Sequence, residues 1–348
     1  MNKPVPQELR TDAKVVARPR HPLLRLKALQ FNQEKIVLAI TIVLFAGFCL
    51  TLDQFATPGN LISLLQSVSI LGVLGIGMSL VVIGRGIDLT MVTIMAISVG
   101  WVFNEINNGL PVGSAFALGF GLAVLIGILN GVLIAYVEIP AIFATLAMAT
   151  FIYGLGHFAL VDNDTIFVSD QLSLFKQLGA GYVGDVPASV IWAAVIALLV
   201  FLLLRFTKIG RFLYAMGDNP PAARIVGIPV RPMIVLQYTM SAIIAFVAGL
   251  LLTATVSSMN TRLANSTMIY DVILVVVIGG IGLSGGKGGV RNVIVGTLLI
   301  GTLVNGMTIL DMSFTEQKII KSLILLIAIV VDSLINPRDE QTAQQGDI

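Results

Sequence analysis

Long runs of apolar residues, broken by short polar loops, dominate the chain. A hydrocarbon core of about 30 Å needs roughly 17 to 25 apolar residues per helix. Ten segments approach that length: 36–52, 61–83, 88–105, 112–136, 140–160, 188–205, 233–255, 268–283, 291–310 and 317–335. The runs do not alternate apolar with polar, which excludes barrel strands and leaves helices as the spanning elements. The eighth run is the shortest and carries Asp271 near its start. The pattern predicts an all-α, polytopic membrane protein with about ten transmembrane helices.

Composition agrees. Of 348 residues, 56% are hydrophobic and 11% charged, against about 25% charged in a soluble domain. The net charge of +2 is too balanced for a nucleic-acid partner, and the basic residues are not massed on one stripe. Cys49 is the only cysteine, so neither a disulfide framework nor a thiolate metal cluster is expected. The first 35 residues hold eight Lys and Arg, seven of them from Arg10 to Lys35, and no apolar core; they read as an uncleaved cytoplasmic tail. A transmembrane domain then covers 36–336, and a second cytoplasmic tail covers 337–348.

Positive charge on short loops marks the cytoplasmic side. With the N-terminus inside and ten crossings, 17 of the 21 Lys and Arg fall inside; Lys176, Arg262, Lys318 and Lys321 fall outside. Acidic residues divide almost evenly, so the asymmetry belongs to the positive charges. Both termini are expected in the cytoplasm.

Two loops stand out by length, 161–187 outside and 206–232 inside. Within the inner one, Asn219 suits a helix cap, Pro220 the first helical position, and Gly227 the left-handed residue just past the end. These bracket a two-turn helix, too short to stand alone in water. It is either an ordinary surface turn or a docking helix for a cytoplasmic partner.

Residues 279–289 contain seven glycines around Lys287. A phosphate-binding loop fails here, because Lys287 is followed by Gly288 and not by Ser or Thr. No ATPase is expected in this chain. Gly279, Gly280, Gly285 and Gly286 instead suit tight packing and positive φ, or a moving gate. The string Val-Val-Ile-Gly occurs at 81–84 and again at 276–279, each time before a glycine-rich turn. Between the second and third runs, Asp88 is placed to cap the third span or to pair with Arg85.

No Asp or Glu lies near the middle of any run, where charge is costly and normally functional. Mid-span polarity comes from neutral groups such as Asn130, Gln237 and Asn305. A solute passing here should be polar but uncharged, and Asp88, Asn130, Gln237 and Asn305 are the candidate path residues. His157, toward the outer end of the fifth run, reads as a satisfied interfacial histidine.

Several motifs occur in one order: Gly86-Ile87-Asp88-Leu89, Asn130-Gly131-Val132-Leu133-Ile134, Ile139-Pro140-Ala141 and Ala144-Thr145-Leu146. Next come Gly210-Arg211, Ala215, Gly217, Asn219, Ala222-Ala223 and Gly227-Ile228, then the glycine cluster and Asn305-Gly306. On these the chain resembles the permeases of bacterial ribose-type and other monosaccharide ABC importers, from about residue 36 to 336. The resemblance implies a second permease copy, identical or not, and a periplasmic solute-binding protein. It also implies separate ABC ATPase subunits that use the ATP and magnesium, with no cofactor on this chain. It makes 210–228 the coupling segment, with Gly210, Arg211, Ala215, Gly217, Asn219, Ala222, Ala223 and Gly227 as its residues, and implies alternating access. The chain departs from the family pattern at Arg85 and Val92, where glycine is usual, and at Pro220 and Pro221, where acidic or polar residues are usual. The alternative reading is an ATP-independent secondary transporter or channel for a small polar solute. A membrane-embedded enzyme has little catalytic material here.

Overall fold

A computed structural model of the protein describes residues 33–169 and 172–335. The tail expected over 1–35 lies outside these up to residue 32, and so does the tail at 337–348.

The described residues form α1 (Gln33–Thr51), α2 (Pro58–Ile83), α3 (Met91–Asn107), α4 (Val112–Ala135), α5 (Ala141–Leu155), α6 (Ser173–Ala180) and α7 (Ala188–Phe206). There follow α8 (Lys208–Asp218), α9 (Pro220–Ile225), α10 (Val230–Val256), α11 (Met268–Ile278), α12 (Val290–Ile309) and α13 (Phe314–Ile335). Each of the ten predicted runs coincides with one helix: α1 to α5, α7 and α10 to α13. Seven of these are long and apolar enough to cross a membrane, namely α1, α2, α4, α5 with the π turn that extends it to Leu160, α7, α10 and α12. Helices α3 and α11 are shorter, at 17 and 11 residues. Charges at Lys318, Lys321 and Asp332 interrupt α13.

Proline sets many of the starts. It stands immediately before α4, α5, α7 and α10, and it opens α2 and α9. Its fixed φ and missing N–H cost nothing at these places.

The centre of the fold is α2, α3 and α10. Of the apolar stretch of α2, 72% is buried in the chain, and 56% of α10, against 11% of α1 and 17% of α7. Lipid tails supply no hydrophobic drive between helices, so close packing of small residues substitutes for it. On α4, Gly119, Ala123, Gly127 and Gly131 recur every four residues, all buried. A Cβ at Gly127 would lie 2.7 Å from the Thr239 Cα and 3.0 Å from the Tyr238 carbonyl. Backbones of α4 and α10 therefore approach too closely for any larger side chain.

The loop at 161–187 is structured. Strand β1 (Thr165–Phe167) pairs antiparallel with β4 (Ser258–Asn260), which follows α10, and β2 (Tyr182–Val183) pairs with β3 (Val186–Pro187). The β1–β4 ribbon is pinned by the Thr261 N–H to the Asp164 carbonyl, 2.7 Å, and by an ion pair between Arg262 and Asp164. His157 lies 3.2 Å from the Thr261 hydroxyl in the same corner and so has a hydrogen-bond partner.

Candidate functional site

The inner loop at 206–232 is two helices at an angle. Thr207 leaves α7 in an extended conformation, and its Oγ1 accepts a hydrogen bond from the Gly210 N–H at 3.2 Å, capping α8. Along α8, Gly210, Leu213, Met216 and Gly217 are buried at helical spacing, while Arg211 and Asp218 face out. The chain breaks at Asn219, whose Oδ1 accepts from the Ala222 N–H at 3.0 Å. Pro220 opens α9, and Gly227 has φ +83° beyond its end. Asn219, Pro220 and Gly227 thus bracket a six-residue helix as the sequence suggests; α8 itself had not been legible. Ala223 turns inward and is 3% exposed, whereas Ile225 is 86% and Val226 74% exposed. Ala222 and Arg224 are exposed beside them, so the outward apolar face of α9 is Ile225–Val226.

Helix α8 lies against the glycine cluster. The Tyr214 hydroxyl donates to the Gly288 carbonyl at 2.7 Å. Burial pushes the Tyr214 phenol above its ordinary pKa of 10.0, so it serves as a neutral donor. The Gly286 N–H donates to the Ile83 carbonyl at the end of α2, 2.9 Å. A Cβ at Gly217 would lie 2.7 Å from the Gly286 nitrogen, and one at Gly286 would lie 2.8 Å from the Asp218 Cα. Gly280, Gly285, Gly286 and Gly288 all have positive φ, between +72° and +98°. Gly279 has φ −58° and serves close packing instead, its Cα set against the Asn292 backbone. Gly217, Gly285 and Gly286 therefore form one junction with the end of α2, while Gly279 and Gly280 lie against Asn292.

The repeated Val-Val-Ile-Gly strings make matching corners. At the end of α2, the Arg85 N–H donates to the Val82 carbonyl and the Gly86 N–H to the Val81 carbonyl. At the end of α11, the Gly280 N–H donates to Val277 and the Ile281 N–H to Val276. Both are the two-bond helix cap that turns through a left-handed residue. That residue is Gly280 at φ +98° in one and Arg85 at φ +72° in the other. Arg85 thus holds a conformation that favours glycine.

Three of the four candidate path residues lie around the first corner. Asp88 is fully buried; its Oδ1 accepts from the Thr90 N–H at 3.0 Å and from the Thr90 hydroxyl, and its Oδ2 accepts from the Ser241 hydroxyl at 2.8 Å. It makes no ion pair with Arg85 and holds the turn before α3. The Asn130 amide donates to the Thr90 hydroxyl at 2.9 Å. Gln237 is 1% exposed, and a Cβ at Gly84 would overlap its Oε1, so Gly84 makes room for that amide. The Asn130 Oδ1 and Gln237 Oε1 have no hydrogen-bond partner among the described residues. Asn305 is elsewhere. Its amide exchanges two hydrogen bonds with Asn60, 2.8 and 2.9 Å, tying the end of α12 to the start of α2.

Comparison with known proteins follows this geometry. Residues 60–331 match the model of a family described as the permease component of the branched-chain amino acid transport system. The ribose import permease protein RbsC of Escherichia coli K12 is 32% identical over 307 residues, covering 86% of this chain and 94% of that one. RbsC of Bacillus subtilis is 34% identical over 80% of this chain and 86% of its own length. The fructose import permease protein FrcC of Rhizobium meliloti is 28% identical over 86% and 84%. No solved structure matches. With most of its length covered by the family model and by these relatives, the chain belongs to this family of membrane permease components, alongside the permeases of monosaccharide ABC importers.

Proposed function

We propose that the chain is the membrane-spanning subunit of an importer in the bacterial cytoplasmic membrane, carrying a neutral sugar-like solute by alternating access. It crosses the bilayer ten times with both termini inside, as the distribution of Lys and Arg supports. A second permease copy completes the path, a periplasmic binding protein delivers the solute, and a separate ABC ATPase binds ATP and magnesium. The observation that carries this reading is the outward Ile225–Val226 face on α9, joined through α8 to the glycine loop. An apolar patch on the cytoplasmic side has no lipid to cover it and suits a protein partner. ATP binding that closes the ATPase pair shifts α9 and α8, and with them the loop between α11 and α12. Such a shift needs an ATPase that binds the two permease states with different affinity.

The family description names branched-chain amino acids, whereas the relatives reported above are named for ribose and fructose. Similarity to those relatives over most of the chain favours the sugar. Reconstitution with an ATPase and binding protein from the same genome tests this: labelled monosaccharide uptake should require ATP and resist competition by leucine. Uphill accumulation by the chain alone, driven by an ion gradient, refutes the proposal and favours a secondary transporter.

A further inference from the structure

Helix α11 has 11 residues, so it is about 16 Å long, roughly half the thickness of a 30 Å hydrocarbon core. Irregular backbone at membrane depth is tolerated only where protein encloses it. The helix and its loop are therefore held by their neighbours, and α13 holds them at two points.

At the outer end of α11, the Lys321 ammonium donates to the Asp271 carboxylate at 2.7 Å. The two side chains are only 10% and 20% exposed. At the inner end, an Asp332 Oδ2 accepts from the Leu283 N–H at 3.2 Å, within the glycine loop. Lys321 and Asp332 are 11 residues apart on α13, about three helical turns and about 16 Å. They lie on one stripe, spaced by the length of α11 itself. A buried ion pair is weak evidence for stability, because desolvation offsets much of the attraction. Ionisable groups inside a membrane usually mark a working element.

We propose that Lys321, Asp271 and Asp332 are positioning residues for transport: they clamp α11 and the glycine loop to α13, so that displacement of α8 at the loop moves α11 as one piece to its outer end. This rests on the reading of α8 and α9 as the ATPase contact. Loosening the clamp should let the ATPase turn over without moving the outer part of the path, so ATP is consumed per solute in excess.

The test uses the full transporter with its ATPase and binding protein in proteoliposomes. Lys321→Met and Asp271→Asn should each raise the ATP hydrolysed per solute imported by about fivefold or more, the lower end of ordinary coupling between sites. The exchanged pair, Asp271→Lys with Lys321→Asp, should bring that ratio back toward wild type. A second readout is Leu283→Cys in a Cys49→Ala background, labelled by an impermeant maleimide with and without ATP. Labelling should respond to ATP in that background and lose the response when Lys321→Met is added. If the exchanged pair fails to assemble, the labelling decides. Single variants that slow uptake and hydrolysis in parallel at an unchanged ratio, or a retained labelling response, overturn the clamp. A wild-type complex with no ATP-dependent uptake would strike the underlying assignment instead.

Discussion

Gly286→Ala is the sharpest perturbation of the junction between α8 and the glycine loop. Gly286 has φ +72°, and a residue with a Cβ in that left-handed region costs about 1 to 2 kcal/mol. The added methyl would also lie 2.8 Å from the Asp218 Cα and nitrogen and 3.0 Å from its Cβ. Two of those three atoms are backbone, so no rotamer change relieves the clash, and overpacking of this kind costs about 1 to 3 kcal/mol. The sum is about 2 to 5 kcal/mol, divided between lost stability and separation of α8 from the loop. Thermal unfolding of the purified protein should shift down clearly, and ATP-driven uptake in proteoliposomes should fall with it. The control is Gly121→Ala on α4, where nothing lies within 4 Å and replacing a mid-helix glycine should raise stability by about 0.5 to 1 kcal/mol. Asp218→Ala should not rescue Gly286→Ala, since it leaves the obstructing backbone in place. Equal unfolding temperatures and uptake for Gly286→Ala and Gly121→Ala would refute the close contact.

Three further outcomes are expected. Ile225→Glu should weaken ATPase binding by about 2 kcal/mol, the scale of an interface anchor, without lowering membrane abundance in immunoblots; Ala223→Glu, placing a carboxylate at a buried position, should reduce abundance itself. Arg85→Gly should raise stability by about 1 kcal/mol by relieving a left-handed non-glycine, read as a higher unfolding temperature. Asn305→Ala should cost about 0.6 kcal/mol per interhelical bond lost and leave the substrate profile in competition assays unchanged, because its amide is engaged by Asn60.

The helices were legible because each carries an apolar run, and ten such runs match ten helices, seven of them long and apolar enough to cross a membrane. Local caps were legible too: Asn219, Pro220 and Gly227 act within a few residues of themselves, so their order along the chain suffices. Features built from distant positions were not. Asn305 shares its chemistry with Asn130 and Gln237 but meets Asn60, 245 residues away. The Lys321–Asp271 pair joins runs 50 residues apart, and counting Lys321 as an outer-loop charge hid its place on the face of a helix. Helix α8 was hidden by a different cause: with Arg211, Asp218 and two glycines it resembles a polar loop, although the spacing of Gly210, Leu213 and Gly217 carries its buried stripe. On α4 the small residues at 119, 123, 127 and 131 were in plain view, and their period of four was the missed signal. The β1–β4 ribbon has too few residues per strand to announce itself.

The twin corners after α2 and α11 carry a consequence for what each bend can tolerate. Two helices finish on the same four letters and close with the same pair of backbone bonds, but the residue after the left-handed position is glycine in one and Ile281 in the other. A graft of residues 276–280 onto 81–85 would keep the bend and replace Arg85 by the glycine that the bend favours, whereas Gly86 has to stay, because a Cβ there would overlap the Tyr238 hydroxyl.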